Sequence, residues 1–142
     1  MLEPKINNHL KVVVGGLIYQ NKKILICQRK EEGDHPLKWE FPGGKREKGE
    51  SLQECLRREI REELDFEIEV GEVLCSVDHA YTHFSITLHA LSARYKEGQP
   101  KAIGCEDWRW VYPEQLDDFA FPRSDRKVIE FVRQRGWQLA LF

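Results

Sequence analysis

The sequence predicts a single α/β domain in which helices cover a β-sheet. Its 142 residues suit one domain with one core, and 41% hydrophobic with 32% charged residues is typical of a globular protein. Segments rich in β-branched and aromatic residues are interspersed with two segments of helical periodicity, as expected when helices pack on a sheet. With no repeat or linker composition, we expect one domain over residues 1–142, with residues 1–9 as a flexible N-terminal segment.

The individual elements follow from local patterns. Two strands in KVVVGGLIYQNKKILICQR meet at Asn21-Lys22, which predicts a hairpin. WEFPGGKREKGE begins as a short strand and continues as a glycine-rich loop, and strands are predicted in EIEVGEVLCSVDHAY, THFSITLHALSARY and EDWRWVY. Ser51 and Glu54 form a capping box at the start of the first helix, and the second helix lies in SDRKVIEFVRQRG and closes at Gly136.

Composition narrows the class of partner and the compartment. No apolar run approaches the roughly 18 residues of a membrane span, and the N-terminal segment lacks the apolar core of a signal peptide. The four cysteines form no C-x-x-C pair, so we expect reduced thiols and a cytoplasmic location. A net charge of −2 argues against a stable nucleic-acid partner and leaves a small anionic substrate, particularly one that shares a metal ion.

The stretch RREIREELDF concentrates three glutamates on the first helix. At roughly 100° per residue from Leu52, the side chains of Glu59, Glu62 and Glu63 fall at about 340°, 280° and 20°. Cys55 lies on the same side of the helix, whereas most polar residues of the helix lie on the opposite side. We therefore expect all three carboxylates to point inward. The alternative is a salt-bridged surface helix.

Clustered, partly desolvated carboxylates need a cation. Mg²⁺ prefers oxygen ligands and shares them with substrate phosphates, so it is the ion that this pattern favours. Arg58 is placed to reach Glu54 and Glu62 and to orient one ligand. Ahead of the helix, PGGKREKGE offers a close backbone approach at Gly43 and Gly44, and Lys45 is suited to a phosphate.

This spacing resembles the Nudix box almost position for position. The matching positions are Gly44, Glu50, Arg58, Glu59, Ile60, Glu62 and Glu63. The family pattern then has a glycine where this chain has Asp65. That glycine suits a left-handed turn at the end of the helix, a conformation that aspartate tolerates at modest cost.

The resemblance implies a Nudix α/β/α sandwich with a mixed β-sheet. It also implies dependence on Mg²⁺, with Mn²⁺ as a substitute, and hydrolysis of a nucleoside diphosphate linked to another group. Arg58 would steer a glutamate, Glu50 is the accessory acid of the motif, and Glu106 stands where relatives place a further ligand or base, although a surface glutamate at a strand start is an equal alternative. The metal ligands so implied are Gly44, Glu59, Glu62, Glu63 and Glu106.

ICQR, WEFPGGK and FPRSDRKVI are similar to the MutT branch, which removes pyrophosphate from oxidised purine triphosphates such as 8-oxo-dGTP. The likeness implies that Arg29 meets the phosphate or sugar and that Phe41 walls the base pocket; the alternatives are a solvated arginine and a core aromatic. An asparagine at the position of Asp125 reads the oxidised guanine in that branch. An ionised aspartate only accepts hydrogen bonds, so it suits exocyclic amino groups, unless it merely caps the last helix beside Ser124.

Two rival functions follow. The first is hydrolysis of (d)CTP or a modified pyrimidine triphosphate, favoured by Asp125. The second belongs to another class, because DHAYTHFSITLHA resembles the non-catalytic C-terminal lesion-recognition domain of MutY-type adenine glycosylases, with His79, Tyr81 and His83 alternating on one strand face. For a nucleotide hydrolase of either base preference we expect a small-molecule nucleoside triphosphate as the partner, no membrane, and a monomer or weak homodimer.

Overall fold

Seven strands form one sheet with a helix on each face. The computed structural model describes residues 10–137, so the expected flexible segment 1–9 lies outside the described residues. The strands are Leu10–Gln20 (β1), Lys23–Gln28 (β2), Trp39–Glu40 (β3), Gly43–Lys45 (β4), Glu67–Ala80 (β5), Ser85–Glu97 (β6) and Asp107–Val111 (β7). The helices are Leu52–Leu64 (α1) and Arg123–Gln134 (α2), and a 3₁₀ segment covers Pro113–Asp118.

The sheet is mixed, as expected. Its main order is β3-β2-β1-β6-β5, with β4 added to β1 and β7 to β2. β1 and β6 run parallel over ten residue pairs, whereas every other pairing is antiparallel. The β1–β2 hairpin turns at Asn21 and Lys22, which have φ of 51° and 67°. Positive φ at both central residues matches the twist of paired strands, so the hairpin prediction is confirmed.

Alternation along the strands builds two core layers. Val14 and Ile18 of β1 face the layer under α1, which also contains Leu56 and Ile60. Their neighbours Leu17 and Tyr19 point to the other face, where α2 packs. Because successive strand residues point to opposite sides, one strand supplies both layers, and the result is the α/β/α sandwich predicted from the sequence.

Both ends of α1 form as the sequence predicts. The Ser51 hydroxyl accepts the Glu54 amide at 3.0 Å, and the Glu54 carboxylate accepts the Ser51 amide at 2.8 Å. At the other end Asp65 adopts φ 52° and ψ 47° and donates its amide to the Arg61 carbonyl at 3.1 Å. The aspartate therefore takes the left-handed position in which the family pattern has glycine. A capping box and a left-handed C-cap hold α1 in register with the sheet.

Two local expectations are wrong. The glycine-rich segment is not only a loop, because Gly43–Lys45 pairs with β1 and the Gly43 α-carbon lies directly against the Val14 carbonyl, where a Cβ would clash. Tyr81 and His83 do not alternate on a strand; they lie in the turn between β5 and β6, closed by the Tyr81 amide donating to the Phe84 carbonyl at 2.7 Å. Within residues 10–137 no helix is long and apolar enough to cross a bilayer.

Candidate active site

Two adjoining clefts open beside β4. The aromatic cleft, of ≈ 320 Å³, is lined by side chains that include Phe41, Tyr81, Phe84 and Asp125. The glutamate cleft, of ≈ 370 Å³, is lined by side chains that include Glu59, Glu63, Cys27 and Cys105. Residues common to both are Arg29, Glu40, Gly43, Gly44 and Lys45. A ligand that spans the shared wall would place one end in each cleft, and the combined size suits a nucleotide.

Two of the three helix glutamates face the glutamate cleft. Glu59 is buried, with 8% of its surface exposed, and its carboxylate packs against the Gly44 α-carbon so closely that a Cβ there would collide with it. Glu63, one turn later, packs in the same way against the α-carbon of Gly104. The two glycines thus leave room for these carboxylates, and a larger residue at either position would displace one of them.

Burial and mutual repulsion act on both carboxylates. Burial raises the pKa of Glu59; the Arg58 guanidinium opposes that rise, while the charges of Glu63 and Glu62 add to it. Burial likewise raises the pKa of Glu63, and Glu62 adds to the rise while Lys30 opposes it. Glu63 accepts no hydrogen bond from any side chain in the part of the chain that is described. This cleft therefore favours the arrival of a cation.

Glu62 departs from the helical-wheel expectation. Its side chain is 57% exposed and does not line either cleft, although its carboxylate accepts a hydrogen bond from Arg58 Nη1 at 3.2 Å. Its predicted angle of about 280° lies at the edge of the inward-facing side of the helix. The body of the protein covers only the part of that side occupied by Glu59 and Glu63. The prediction of inward orientation is correct for those two residues and wrong for Glu62.

Arg58 orders the acids around α1. Its guanidinium donates to both carboxylate oxygens of Glu50 at 2.7 and 2.9 Å, to Glu59 at 2.9 Å and to the Lys45 carbonyl at 3.2 Å. These bonds hold the pKa of the Glu50 carboxyl at about 2. The expected contact with Glu54 does not form, because that carboxylate belongs to the capping box. Arg58 thus fixes the β4–α1 connection and one face of the Glu59 carboxylate.

The donors in the glutamate cleft fit a hard divalent ion. Among residues 10–137 no three His, Cys, Asp or Glu side chains converge closely enough to hold a metal ion. Two carboxylates do share the cleft with the backbone of Gly44, whose carbonyl meets the Cys55 thiol at 4.0 Å. Carboxylate and carbonyl oxygens are the ligands of Mg²⁺ and Mn²⁺, which keep waters in their remaining positions.

The aromatic cleft is organised by Asp125. This residue is 6% exposed, and its Oδ2 accepts the Phe41 amide at 3.1 Å while Oδ1 accepts the Ser124 hydroxyl at 3.4 Å. Burial raises its pKa to about 7; the Glu40 charge adds to that rise, and the Phe41 amide opposes it. Asp125 does not cap α2, whose N-cap is Pro122 without a side-chain bond. The capping alternative is therefore wrong, and the carboxyl ties α2 to the loop after β3.

Phe41 serves the core and the cleft at once. It is 4% exposed, stacks on Phe121 with ring centroids 5.5 Å apart, and still lines the aromatic cleft. On the opposite rim Tyr81 contacts the rings of His35 at 4.6 Å and Phe84 at 5.1 Å. Flat aromatic faces at the rim and a buried carboxyl at the floor are suited to a planar, hydrogen-bonding group such as a nucleobase.

Both residues expected to meet phosphate stand at the shared wall, whereas Glu106, expected at the metal, does not. Arg29 donates from Nη1 to Glu40 at 2.8 Å and from Nε to the Asp34 carbonyl at 2.8 Å, so it is not a freely solvated arginine. Lys45 is exposed and lines both clefts. Glu106 is exposed just before β7 and lines neither cleft, so its assignment to the metal stays a prediction.

Several cleft residues escaped the sequence analysis. Glu40 is one of them, because its carboxylate lines both clefts. Burial raises the pKa of Glu40, and the charge of Arg29 opposes that rise. Its only signal in the sequence was its place in WEFPGGK, beside Phe41. Gly104 and Cys105 reach the cleft through a loop that carries no motif, so local patterns had no means to place them.

Comparison with known proteins agrees with this geometry. Residues 13–131 match the model of the NUDIX domain family. The chain is 35% identical over 118 residues to a CTP pyrophosphohydrolase of Escherichia coli, covering 83% of this chain and 87% of that protein. It is 28% identical to an 8-oxo-dGTP diphosphatase of Escherichia coli, covering 88% and 97%.

Solved structures show the same architecture. The solution structure of the Escherichia coli ORF135 protein superposes with a TM-score of 0.76 at 32% identity, covering 93% of this chain and 95% of that one. A MutT protein from Methanosarcina mazei superposes with a TM-score of 0.80 at 26% identity, covering 90% and 96%. With its sandwich fold, its acidic helix and a family match over most of its length, this chain belongs to the Nudix hydrolase family.

Proposed function

We propose that this protein hydrolyses nucleoside triphosphates to the monophosphate and pyrophosphate with a divalent metal ion. The observation that carries the proposal is that the Glu59–Glu63 pair lines a cleft that adjoins the aromatic cleft across a shared wall. Carboxylates at one end and aromatic faces at the other match the two halves of a nucleotide. Members of the family generally use divalent metal ions, and we propose Mg²⁺, with Mn²⁺ as a substitute.

Each group of residues has a part in this reaction. Glu59 and Glu63, with the Gly44 carbonyl and the more peripheral Glu62 and Glu106, would hold an ion that neutralises phosphate oxygens and lowers the pKa of a bound water. The protein's own contribution is positioning: Arg58 restrains Glu59, and the Gly44 and Gly104 backbones shape the acid cleft. Lys45 and Arg29 stand at the shared wall, where a phosphate chain would cross between the clefts.

For the base, we propose 8-oxo-dGTP as the principal substrate, cleaved to 8-oxo-dGMP and pyrophosphate. The relative named as an 8-oxo-dGTP diphosphatase, similar over most of its length, supports this choice. A cytosine triphosphate is the second candidate, supported by the relative named as a CTP pyrophosphohydrolase and by Asp125. With a pKa of about 7, that carboxyl is acceptor-only when ionised, which suits an amino group, and donor as well as acceptor when protonated, which suits 8-oxoguanine.

The partner would be a free nucleotide, with no stable nucleic-acid partner, and the protein would act in the cytoplasm as a monomer or weak homodimer. A non-catalytic lesion-recognition module would bind such a base without consuming it.

The decisive test is a product assay on 8-oxo-dGTP, dGTP, CTP and dCTP with Mg²⁺. We expect pyrophosphate and the monophosphate from one or more of them, and no release by a folded Glu63→Gln variant. Exposed Glu114 offers a matched control, since Glu114→Gln makes the same chemical change away from both clefts. Orthophosphate as the product, or pyrophosphate release that survives Glu63→Gln, would overturn the proposal.

A further inference from the structure

Two of the four cysteines stand together at the wall of the glutamate cleft. All four are free thiols. Cys27 of β2 is 2% exposed, and Cys105, in the loop just before β7, is 8% exposed. Both belong to the buried cluster under α1, where interaction between the two thiols raises the pKa of Cys27 and lowers that of Cys105, and the Cys105 thiol donates to the Asp107 carbonyl at 3.4 Å. Both line the cleft that contains Glu59 and Glu63, and Cys105 is the more exposed of the two.

The other two cysteines differ in their surroundings. Cys75 belongs to the core layer under α2, on the opposite face of the sheet. Cys55 is fully buried on α1, where its thiol contacts the Lys45 carbonyl at 3.6 Å. Only the pair formed by Cys27 and Cys105 combines a thiol–thiol contact with an opening to the cleft.

The two members of the pair differ in how the sheet holds them. Cys27 is held on both sides, since β2 pairs with Glu40 of β3 and with Trp108 of β7 at this position. Cys105 lies outside any strand. A disulfide needs sulfurs about 2.05 Å apart, much closer than two thiols that are not bonded to each other, so formation of the bond must draw one residue towards the other. Because Cys105 belongs to no strand, we expect it, rather than Cys27, to shift when the bond forms, against the hydrogen bonds that hold its loop.

That loop is attached to the end of α1. The amides of Ile103 and Gly104 donate to the Glu63 carbonyl at 3.2 and 3.0 Å, and the Lys101 amide donates to the Leu64 carbonyl at 2.8 Å. The Gly104 α-carbon also supports the Glu63 carboxylate. A shift of Cys105 therefore acts on Glu63 through its neighbour in the chain, by both the backbone bonds and the side-chain contact.

We infer that Cys27 and Cys105 form an oxidative modification site in which peroxide converts the two thiols to a disulfide and thereby displaces Glu63. One thiolate attacks the peroxide and becomes a sulfenic acid as one oxygen leaves as water. The second thiol then attacks that sulfur, and the sulfenic oxygen leaves as a second water. Two thiols and one hydrogen peroxide thus give one disulfide and two waters. The effect on turnover rests on the proposed function, whereas formation of the disulfide does not.

The test exposes the whole protein to hydrogen peroxide and follows both cross-linking and turnover. Peptide mapping by mass spectrometry, without reduction, identifies the bond, and nucleotide hydrolysis is measured before and after dithiothreitol. In the wild type we expect an intramolecular Cys27–Cys105 bond and a fall in kcat of about 10²-fold, as a misplaced catalytic group produces, with both effects reversed by the reductant.

Variants separate the pair from general oxidation. Cys105→Ser removes one thiol of the pair at a position in a loop, where the substitution disturbs the core little. We expect peroxide to form no cross-link in this variant and to leave its kcat as it was before treatment. Cys27→Ser should behave in the same way. Cys75→Ser keeps the pair and should respond as the wild type does. Bonds only to other cysteines or between molecules, or equal loss of kcat in Cys105→Ser, would overturn the inference. A Cys27–Cys105 bond that left kcat intact would overturn the coupling to Glu63 alone, whereas absence of hydrolysis in the untreated protein would count against the proposed function.

Discussion

Replacing Asp125 with asparagine removes a carboxyl group whose charge the fold penalises. Asparagine keeps an oxygen to accept the Phe41 amide, so the link between α2 and the loop after β3 is retained. What changes is the ionisation. Burial raises the pKa of Asp125 from 3.8 to about 7. Between these two pH values the carboxyl is protonated in the folded protein and ionised in the unfolded chain. Stability should therefore fall as the pH rises from about 4 to 7, with the full penalty present above pH 7.

The size of this penalty follows from the shift. A difference of about three pKa units at about 1.4 kcal/mol each gives an upper bound of about 4 kcal/mol above pH 7. The Asp125→Asn variant lacks it. We expect the variant and the wild type to unfold with similar free energies at about pH 4, and the variant to gain stability over the wild type as the pH approaches about 8.

Urea unfolding of both proteins at several pH values measures this difference directly. Every other titrating group is common to the two proteins, so the difference in their unfolding free energies isolates residue 125. A difference that does not change between about pH 4 and 8 would show that the fold does not hold Asp125 protonated.

The same substitution should change base preference. At about pH 8 the wild-type carboxylate only accepts hydrogen bonds, whereas asparagine donates as well. We expect Asp125→Asn to shift kcat/KM towards 8-oxo-dGTP and away from CTP while activation by Mg²⁺ stays unchanged. Identical kinetics of the two proteins across the nucleotide panel would contradict a role for this residue in reading the base.

Further predictions concern the glutamate cleft. Glu63→Gln should abolish pyrophosphate release at every concentration of a Mg²⁺ titration, whereas Glu114→Gln should leave the rate and its Mg²⁺ dependence unchanged; equal effects would refute the assignment. Gly104→Ala should push the Glu63 carboxylate aside and lower kcat without altering the circular dichroism spectrum, with exposed Ala102→Ser as the control; unchanged kcat would show that this contact has no catalytic consequence. Arg58→Lys should cost about 10- to 100-fold in activity, because lysine lacks the planar fork that serves several acceptors, and a variant as active as the wild type would remove Arg58 from the positioning role.

The features that sequence analysis placed correctly depend on residues close together in the chain. The capping box at Ser51 and the inward turn of Glu59 and Glu63 follow from α-helical geometry over a few residues, and the left-handed turn at Asp65 follows from the glycine of the family pattern. The Asn21-Lys22 hairpin is likewise local.

The errors arose where tertiary contacts decide. Gly43–Lys45 becomes a strand only because β1 offers it an edge, and Glu62 is exposed because the body of the protein covers just one side of the last helical turns. No local pattern contains either fact. The orientation of Asp125 is similar: the sequence left base contact and helix capping open, and the partner that decides it, Phe41, lies 84 residues away.

The amino-acid sequence was thus sufficient for the family, the sandwich and the acids on α1, because helix periodicity and motif spacing are short-range properties. Tertiary contacts decided which of these acids lie in the same cleft and which other residues line that cleft. Gly104 and Cys105 reach Glu63 only because the loop before β7 bonds to the end of α1, and that contact follows from how the sheet places β7 beside β2.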